Sequence, residues 1–194
     1  KDSKGLLPVN ASPRDTLYII DIYDQEYKHS RSTVASKIIS ERIPVRAIQV
    51  DESDKKPILD VIVKSIPKNS QILINAFVSP KEWKDRIFFP DNETYFVREL
   101  IKKSDRIILA SLGTPYLLQD FPKVSTYLCA YNGSYLMQNA LANALLGSKD
   151  ISGRLPISIP GLHEIGSGMF KEMKVKMEKI SEYKPGIEVK RVLP

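Results

Sequence analysis

Short apolar runs of strand length recur along most of this sequence. Each is rich in Ile, Val, Leu and aromatic residues, the composition typical of strands that are buried on both faces. The pattern predicts six strands, at 16–23, 45–50, 71–77, 106–112, 125–131 and 155–159.

The stretches between these runs repeat apolar residues at helical spacing instead. They predict four helices, at 30–43, 53–66, 94–104 and 134–147. In the second helix, Ile58, Val61, Ile62 and Ile66 are expected on the buried side, with Pro57 in the first turn. Gly147 is expected to end the fourth helix.

Alternation of strands and helices predicts an α/β fold with a largely parallel sheet. We expect a flavodoxin-like, three-layer sandwich of about six mainly parallel strands with helices on both faces. The last strand, 155–159, has Pro156 as its second residue and is followed by Pro160. Because proline cannot donate a hydrogen bond to a neighbouring strand, this strand is predicted at an edge of the sheet.

The sequence predicts one domain over residues 1–169 and a basic tail or linker over 170–194. The tail holds seven Lys or Arg against four Glu, half of the net charge of +6. The remaining surplus is spread along the domain without a basic stripe, which argues against nucleic-acid binding. We expect the tail to lead to a further domain in a longer protein.

Several other classes of protein are disfavoured. No apolar run approaches the ~18 residues of a membrane-spanning helix. A single cysteine, Cys129, excludes an internal disulfide and a cysteine-based zinc cluster, and is expected to be a buried, unreactive thiol. The glycines at 166–168 lack the third glycine of a dinucleotide-binding motif. We therefore predict no cofactor and no metal.

Two other functional hypotheses, a serine hydrolase and a receiver domain, fit the sequence poorly. Ser111 follows a strand, but Leu109 replaces the first glycine of a nucleophile elbow, and neither His29 nor His163 has a neighbouring catalytic pattern. A phosphoacceptor receiver domain would use acidic residues such as Asp21 near the first strand. However, the third strand ends without an aspartate and the fifth without a lysine.

The connection after the third strand, 79–92, is the most unusual segment. In open α/β sheets, ligands bind outside the carboxyl ends of the strands, where this loop is expected. It offers an aromatic ring for stacking on a sugar and charged groups for its hydroxyls. The candidate substrate-binding residues are Lys81, Trp83 and Arg86. The alternative is a solvated loop whose aromatic residues pack against the domain.

Three stretches together resemble the C-terminal domain of family 3 glycoside hydrolases, closest to its β-N-acetylhexosaminidase-like branch. They are LLPV at 6–9, ASLGTPYLLQDF at 110–121, and the segment 140–169 with its alanine-rich helix and GRLPISIP motif. The resemblance covers nearly residues 5 to 170 and implies that GRLPISIP is the last strand of the sheet.

The resemblance implies a domain of a multidomain O-glycosyl hydrolase of β-N-acetylhexosaminidase or β-glucosidase type. In that family an upstream (β/α)8 barrel binds the carbohydrate and carries the nucleophile, and no segment here resembles it. In the β-glucosidase-like branch this domain supplies the acid/base glutamate, for which Glu82 is the candidate. We expect the chain alone to be inactive, with a structural and substrate-loop role.

The resemblance also implies a periplasmic or secreted bacterial protein rather than a cytoplasmic one. Some members continue into a β-lactamase-like domain, to which the tail could lead. The alternative is a non-catalytic interaction or sugar-binding module that retains only the fold.

Overall fold

A computed structural model describes six ranges of the chain: 1–9, 15–24, 26–27, 32–41, 43–78 and 89–172. Within these ranges a single sheet of five strands forms, in the order β2-β1-β3-β4-β5, and all neighbouring strands are parallel. The strands are β1 Leu17–Tyr23, β2 Val45–Asp51, β3 Ile72–Phe77, β4 Ile107–Ser111 and β5 Thr126–Cys129.

Helices cover both faces of the sheet, so the predicted α/β sandwich of three layers is confirmed. One face carries α2 and α3 and the other carries α1 and α4. The helices are α1 Val34–Ser40, α2 Lys56–Ser65, α3 Asp91–Lys103 and α4 Tyr135–Leu146, and a 3-10 helix spans Pro115–Gln119.

Two hydrophobic cores arise because side chains alternate between the faces of each strand. Along β1, Ile20 and Ile22 pack under α2 and α3, whereas Ile19 and Tyr23 pack under α1 and α4. All seven residues of β1 are buried. Each fully buried aliphatic side chain contributes about 1.5–3 kcal/mol, which explains why the strand is apolar apart from Asp21.

The predicted sixth strand is wrong. Residues 155–159 fold back on the chain that follows instead of joining the sheet. Leu155 N–H donates to the Ser167 carbonyl at 2.8 Å, and Ile159 exchanges hydrogen bonds with His163 at 2.7 and 3.0 Å. Two glycines with positive φ, Gly161 and Gly166, make the turns that this path needs.

The edge beside β5 is taken by the start of the described chain. Asp2 pairs antiparallel with Thr126, and the Tyr127 N–H donates to the Lys1 carbonyl at 2.8 Å. Ser3 N–H donates to the Ser125 carbonyl at 3.0 Å. These bonds occupy the position expected for 155–159, so that segment covers the edge without extending the sheet.

The buried face of α2 differs from the prediction. Ile58 and Val61 are 51% and 66% exposed, whereas Leu59 and Ile66 are fully buried and Ile62 packs beside them. Helix α2 has five aliphatic residues, which form two overlapping apolar stripes, and the predicted set included two residues of the outer stripe. Pro57 lies in the first turn, as predicted.

The ends of the last two helices were predicted unequally well. Helix α3 begins at Asp91, three residues before the predicted start, and its N-cap is Pro90. Helix α4 ends at Gly147, which has the expected left-handed conformation with φ of 74°.

No helix in the described ranges is long and apolar enough to cross a membrane. The predicted boundary at residue 169 stays a prediction, because residues 173–194 lie outside those ranges.

Candidate functional site

The carboxyl ends of β1 and β3 form the switch point of the sheet, where ligands usually bind in open α/β folds. On the β1 side, the Asp24 N–H donates to the Phe77 carbonyl at 3.1 Å. The buried Asp24 carboxylate accepts from the amides of Glu26 and Tyr27 at 3.0 and 3.2 Å. Asp24 therefore holds the turn after β1.

Aromatic rings fill the same side of the switch point. Tyr23 stacks on Phe77 with 4.7 Å between ring centroids, and Tyr27 lies 5.7 Å from Phe77. The Gly133 N–H donates to the Tyr27 hydroxyl at 3.3 Å. A Cβ atom at Gly133 would approach the Tyr27 and Phe77 rings to 2.7 and 2.9 Å, so this packing requires glycine.

The residues predicted to contact a sugar lie outside the described ranges: Lys81, Glu82, Trp83 and Arg86. Their roles therefore stay predictions. The described residues that flank 79–88, Val78 and Phe89, are both buried in the core under α2 and α3. Phe89 lies 6.3 Å from Phe121 between ring centroids, so the loop starts and ends on a packed base.

A tight turn follows β4 at the same end of the sheet. A Cβ atom at Gly113 would lie 1.8 Å from the Val78 carbonyl oxygen, so only glycine fits there. The Thr114 side chain accepts from the Tyr116 amide at 3.3 Å and caps the 3-10 helix. Ser111 is fully buried and donates to the Thr114 carbonyl at 2.6 Å. Its hydroxyl holds the turn and is not available as a nucleophile.

A buried polar pair crosses from β1 to β3. Asn75 Nδ2 donates to Asp21 Oδ1 at 2.7 Å, and the two residues are 0% and 2% exposed. Burial raises the pKa of Asp21 to about 6, although the Asn75 hydrogen bond opposes this shift. The pair gives the domain a carboxyl group that titrates near neutrality, but α1 and α4 enclose it.

Glu93 is a second buried carboxyl group. The sequence did not reveal it, because the helix was predicted to begin at residue 94, directly after Glu93. It is 1% exposed, and neither carboxylate oxygen has a hydrogen-bond partner. A glutamate at this third helical position often bonds the amide of the N-cap residue, but here the N-cap is Pro90, which has no N–H. Burial, followed by the acidic turn at 51–54, raises the pKa of Glu93.

A cavity of about 700 Å³ lies between β5 and the segment that folds back beside it. Both polar and apolar side chains line it, among them Tyr127, Cys129, Tyr131, Arg154, Leu155 and His163. Cys129 is half-buried rather than fully buried, and burial raises the pKa of its thiol to about 11, which disfavours the thiolate. Burial also lowers the pKa of His163, which favours the neutral imidazole.

In the described ranges, no three His, Cys, Asp or Glu side chains come together in a way that could hold a metal ion. The Asp21 and Glu93 carboxyl groups are buried, and the Ser111 hydroxyl is used in a structural hydrogen bond. The described part of the switch point therefore offers packing and shape rather than a nucleophile beside a base.

The sequence matches no protein-family model and no curated protein. Solved structures with a similar fold include a fungal multi-domain glycoside hydrolase family 3 β-N-acetylglucosaminidase with a GCN5-related glucosamine N-acetyltransferase region. Its TM-score is 0.65 at 19% identity over 86% of this chain.

Two further structures are similar. One is a glycoside hydrolase family 3 β-N-acetylglucosaminidase from Paenibacillus, with a TM-score of 0.55 at 16% identity over 71% of this chain. The other is the β-glucoside phosphorylase BglX, with a TM-score of 0.52 at 20% identity over 76% of this chain. At these identities the likeness shows a common fold and leaves activity open.

The chain spans only a fraction of these proteins. It covers 18% of the fungal enzyme and 26% of each of the other two. The α/β sandwich described here therefore has the fold of one domain within larger proteins, among them glycosidases of family 3.

Proposed function

We propose that this chain is a non-catalytic α/β sandwich domain of a multidomain family 3 glycoside hydrolase that acts on β-linked N-acetylglucosamine. An upstream (β/α)8 barrel would bind the carbohydrate and perform the chemistry. The observation that carries this proposal is the fold shared with two family 3 β-N-acetylglucosaminidases, of which the chain covers 18% and 26%. The GTPY turn and the GRLPISIP motif support it.

The described polar groups support a structural role. Retaining glycosidases need two carboxyl groups about 5 Å apart, or an equivalent pair, that reach the substrate. Asp21 and Glu93 are buried from solvent at 2% and 1% exposure, so neither reaches a sugar in this conformation. The domain would pack on the barrel and present the 79–92 loop as one wall of its active site.

The test compares the purified 194-residue chain with the longer natural polypeptide on an aryl N-acetylglucosaminide and an aryl β-glucoside. We expect no turnover by the chain, and hydrolysis of the N-acetylglucosaminide by the longer protein. In the longer protein, Glu82→Gln should leave most of kcat if the barrel supplies the acid/base group. Turnover by the chain alone would contradict the proposal. Loss of kcat on Glu82→Gln would assign the catalytic role to this domain.

One observation favours a second candidate, a sugar-binding module. The cavity beside β5 is lined by Tyr131 and Arg154, residues suited to stacking on a sugar ring and to bonding its hydroxyls. Titration of the chain with N-acetylglucosamine oligomers tests it, with Tyr131→Ala as the variant. Saturable binding that Tyr131→Ala weakens supports the module, and its absence removes this candidate.

Two more expectations belong to this proposal. The protein would be located in the bacterial periplasm or outside the cell. The basic tail would connect the domain to a further domain of β-lactamase-like type. The cell fraction that contains the natural polypeptide tests the first, and its mass beyond residue 194 tests the second.

A further inference from the structure

Within the described part of the chain, the outer edge of β2 has backbone groups without a partner strand. The Leu17 N–H donates to the Pro44 carbonyl at 2.8 Å, which shows that the backbone groups of even-numbered residues in this strand face β1. Because these groups alternate along a strand, those of Val45, Ala47 and Gln49 face away from the sheet.

The row of outward-facing backbone groups ends at the last residue of β2. The next outward amide, that of Asp51, donates to Asp54 Oδ2 at 2.9 Å. Between Pro44 and that turn, no described residue forms a ladder with the outward groups. Arg46, Ala47 and Gln49 are exposed, so a pairing surface about six residues long is open to solvent.

Helix α2 extends this edge with an apolar flank. Its Asp60 accepts from the Tyr95 hydroxyl at 2.8 Å, and Lys56 Nζ lies 4.2 Å from the Tyr95 ring centroid, so this side of α2 faces α3. At 100° per residue, Ile58 and Ile62 lie on the opposite flank. In the strand order found here, that flank faces the β2 edge.

We infer that this edge pairs with the same edge of a second copy of the chain, the two β2 strands running antiparallel across a two-fold axis at Ile48. In an antiparallel pair, outward-facing residues must oppose outward-facing residues. Full overlap of the seven-residue strands satisfies this rule, because it places Ala47 opposite Gln49 and Ile48 opposite its own copy. A two-fold axis repeats both contacts.

The side chains fit this register. On the α2 face, the half-buried Ile48 of each copy meets its equivalent, with the two Ile58 flanks beside it. Arg46 opposes Val50, and Val45 opposes Asp51, so no like charges face each other. Arg46 is the one charged side chain within 45–50, and the strand lacks the lysines, internal prolines and bulges that usually block edge-to-edge pairing.

The test measures the dimer dissociation constant of the 194-residue chain by sedimentation equilibrium. Gln49→Pro removes one outward N–H and leaves the β1 ladder intact. Ile58→Glu charges the apolar flank of α2 at a half-exposed position. Ile165→Glu is the matched control, since Ile165 is 66% exposed in the segment beside the opposite edge.

We expect a species near twice the monomer mass of 22.0 kDa, and a dissociation constant raised at least about tenfold by each edge variant. Ile165→Glu should leave it unchanged. A parent chain that is monomeric at every concentration would overturn the inference. So would a dimer that both edge variants leave intact, or one that the control weakens equally. Circular dichroism checks folding, and Ile58→Glu keeps the test valid if Gln49→Pro does not fold.

Discussion

The two edges of the sheet differ in whether other segments of the chain cover them. At β5, four residues long, the backbone pairs with residues 1–3, and the folded-back segment buries Ile159 to 1% exposure beside it. At β2, seven residues long, three of the residues are exposed and no described strand pairs with the outer side. The β5 edge is therefore covered by two segments distant from it in sequence, residues 1–3 and the segment around Ile159.

The largest expected effect distinguishes the covered edge from the open one. Ile159→Ala should lower the free energy of unfolding by about 2–5 kcal/mol, because it opens a cavity in the core under α2 and α3. Ile58→Ala on the open side should cost under about 1 kcal/mol, since the side chain is already half-exposed. Urea unfolding of both variants measures the difference. Equal losses would mean that the segment around Ile159 does not seal the β5 edge.

The centre of the sheet gives the next largest effect, in the opposite direction. Burial raises the pKa of Asp21 to about 6. Its stabilising contribution is therefore complete below the unfolded pKa of about 4 and is lost as the pH rises through about 6. Asp21→Asn avoids this loss and can donate to Asn75 Oδ1, which lacks a partner.

The variant should therefore be more stable than the parent by about 1–3 kcal/mol above about pH 7, with a smaller difference near about pH 4. Thermal unfolding across this range tests the expectation. A variant that is less stable than its parent at every pH would show that the carboxylate is needed in the fold.

A smaller effect is expected where residues 1–3 cover β5. Asp2 accepts from Thr126 Oγ1 at 2.6 Å and from Lys171 Nζ at 2.9 Å. Burial alone would raise the pKa of Asp2, but these bonds and the amides of Leu6 and Leu7 together hold it below its ordinary value. The stabilisation is present at neutral pH and is lost as the pH falls through the lowered pKa.

Asp2→Ala should therefore cost about 1–2 kcal/mol at neutral pH and less in acid below the ordinary aspartate pKa. Urea unfolding at the two pH values measures this change. Thr126→Val is a second variant that removes one donor and should show part of the same pH dependence. A cost that stays constant with pH would contradict the role assigned to the carboxylate.

The sequence predicted the layers of the fold but not its edges. Apolar runs located all five strands, because strands buried on both faces have few polar residues. The run at 155–159 has the same local pattern, yet Pro156 and Pro160 and the pairing of β5 with Lys1–Ser3 exclude it from the sheet. Pairing between distant segments leaves no local signature, so the pattern at 155–159 could not show that residues 1–3 occupy the edge beside β5.

The site was less predictable than the fold. Asp21 and Asn75 are visible as polar residues inside apolar strands, but their contact depends on the register between β1 and β3. Glu93 was hidden because Pro90 is an unusual N-cap and moved the helix start. The family resemblance, by contrast, pointed to the stretch at 110–121, and the glycine of its GTPY turn is explained by the contact with Val78.

The most direct test of the account is the intact mass of the naturally produced polypeptide that contains this sequence, measured beside its glycosidase activity. A domain of a family 3 enzyme predicts a mass well above 22.0 kDa, a barrel upstream, and hydrolysis of an aryl N-acetylglucosaminide by the same polypeptide. A natural chain of about 22.0 kDa without that activity would contradict the account and leave the shared fold without the shared function.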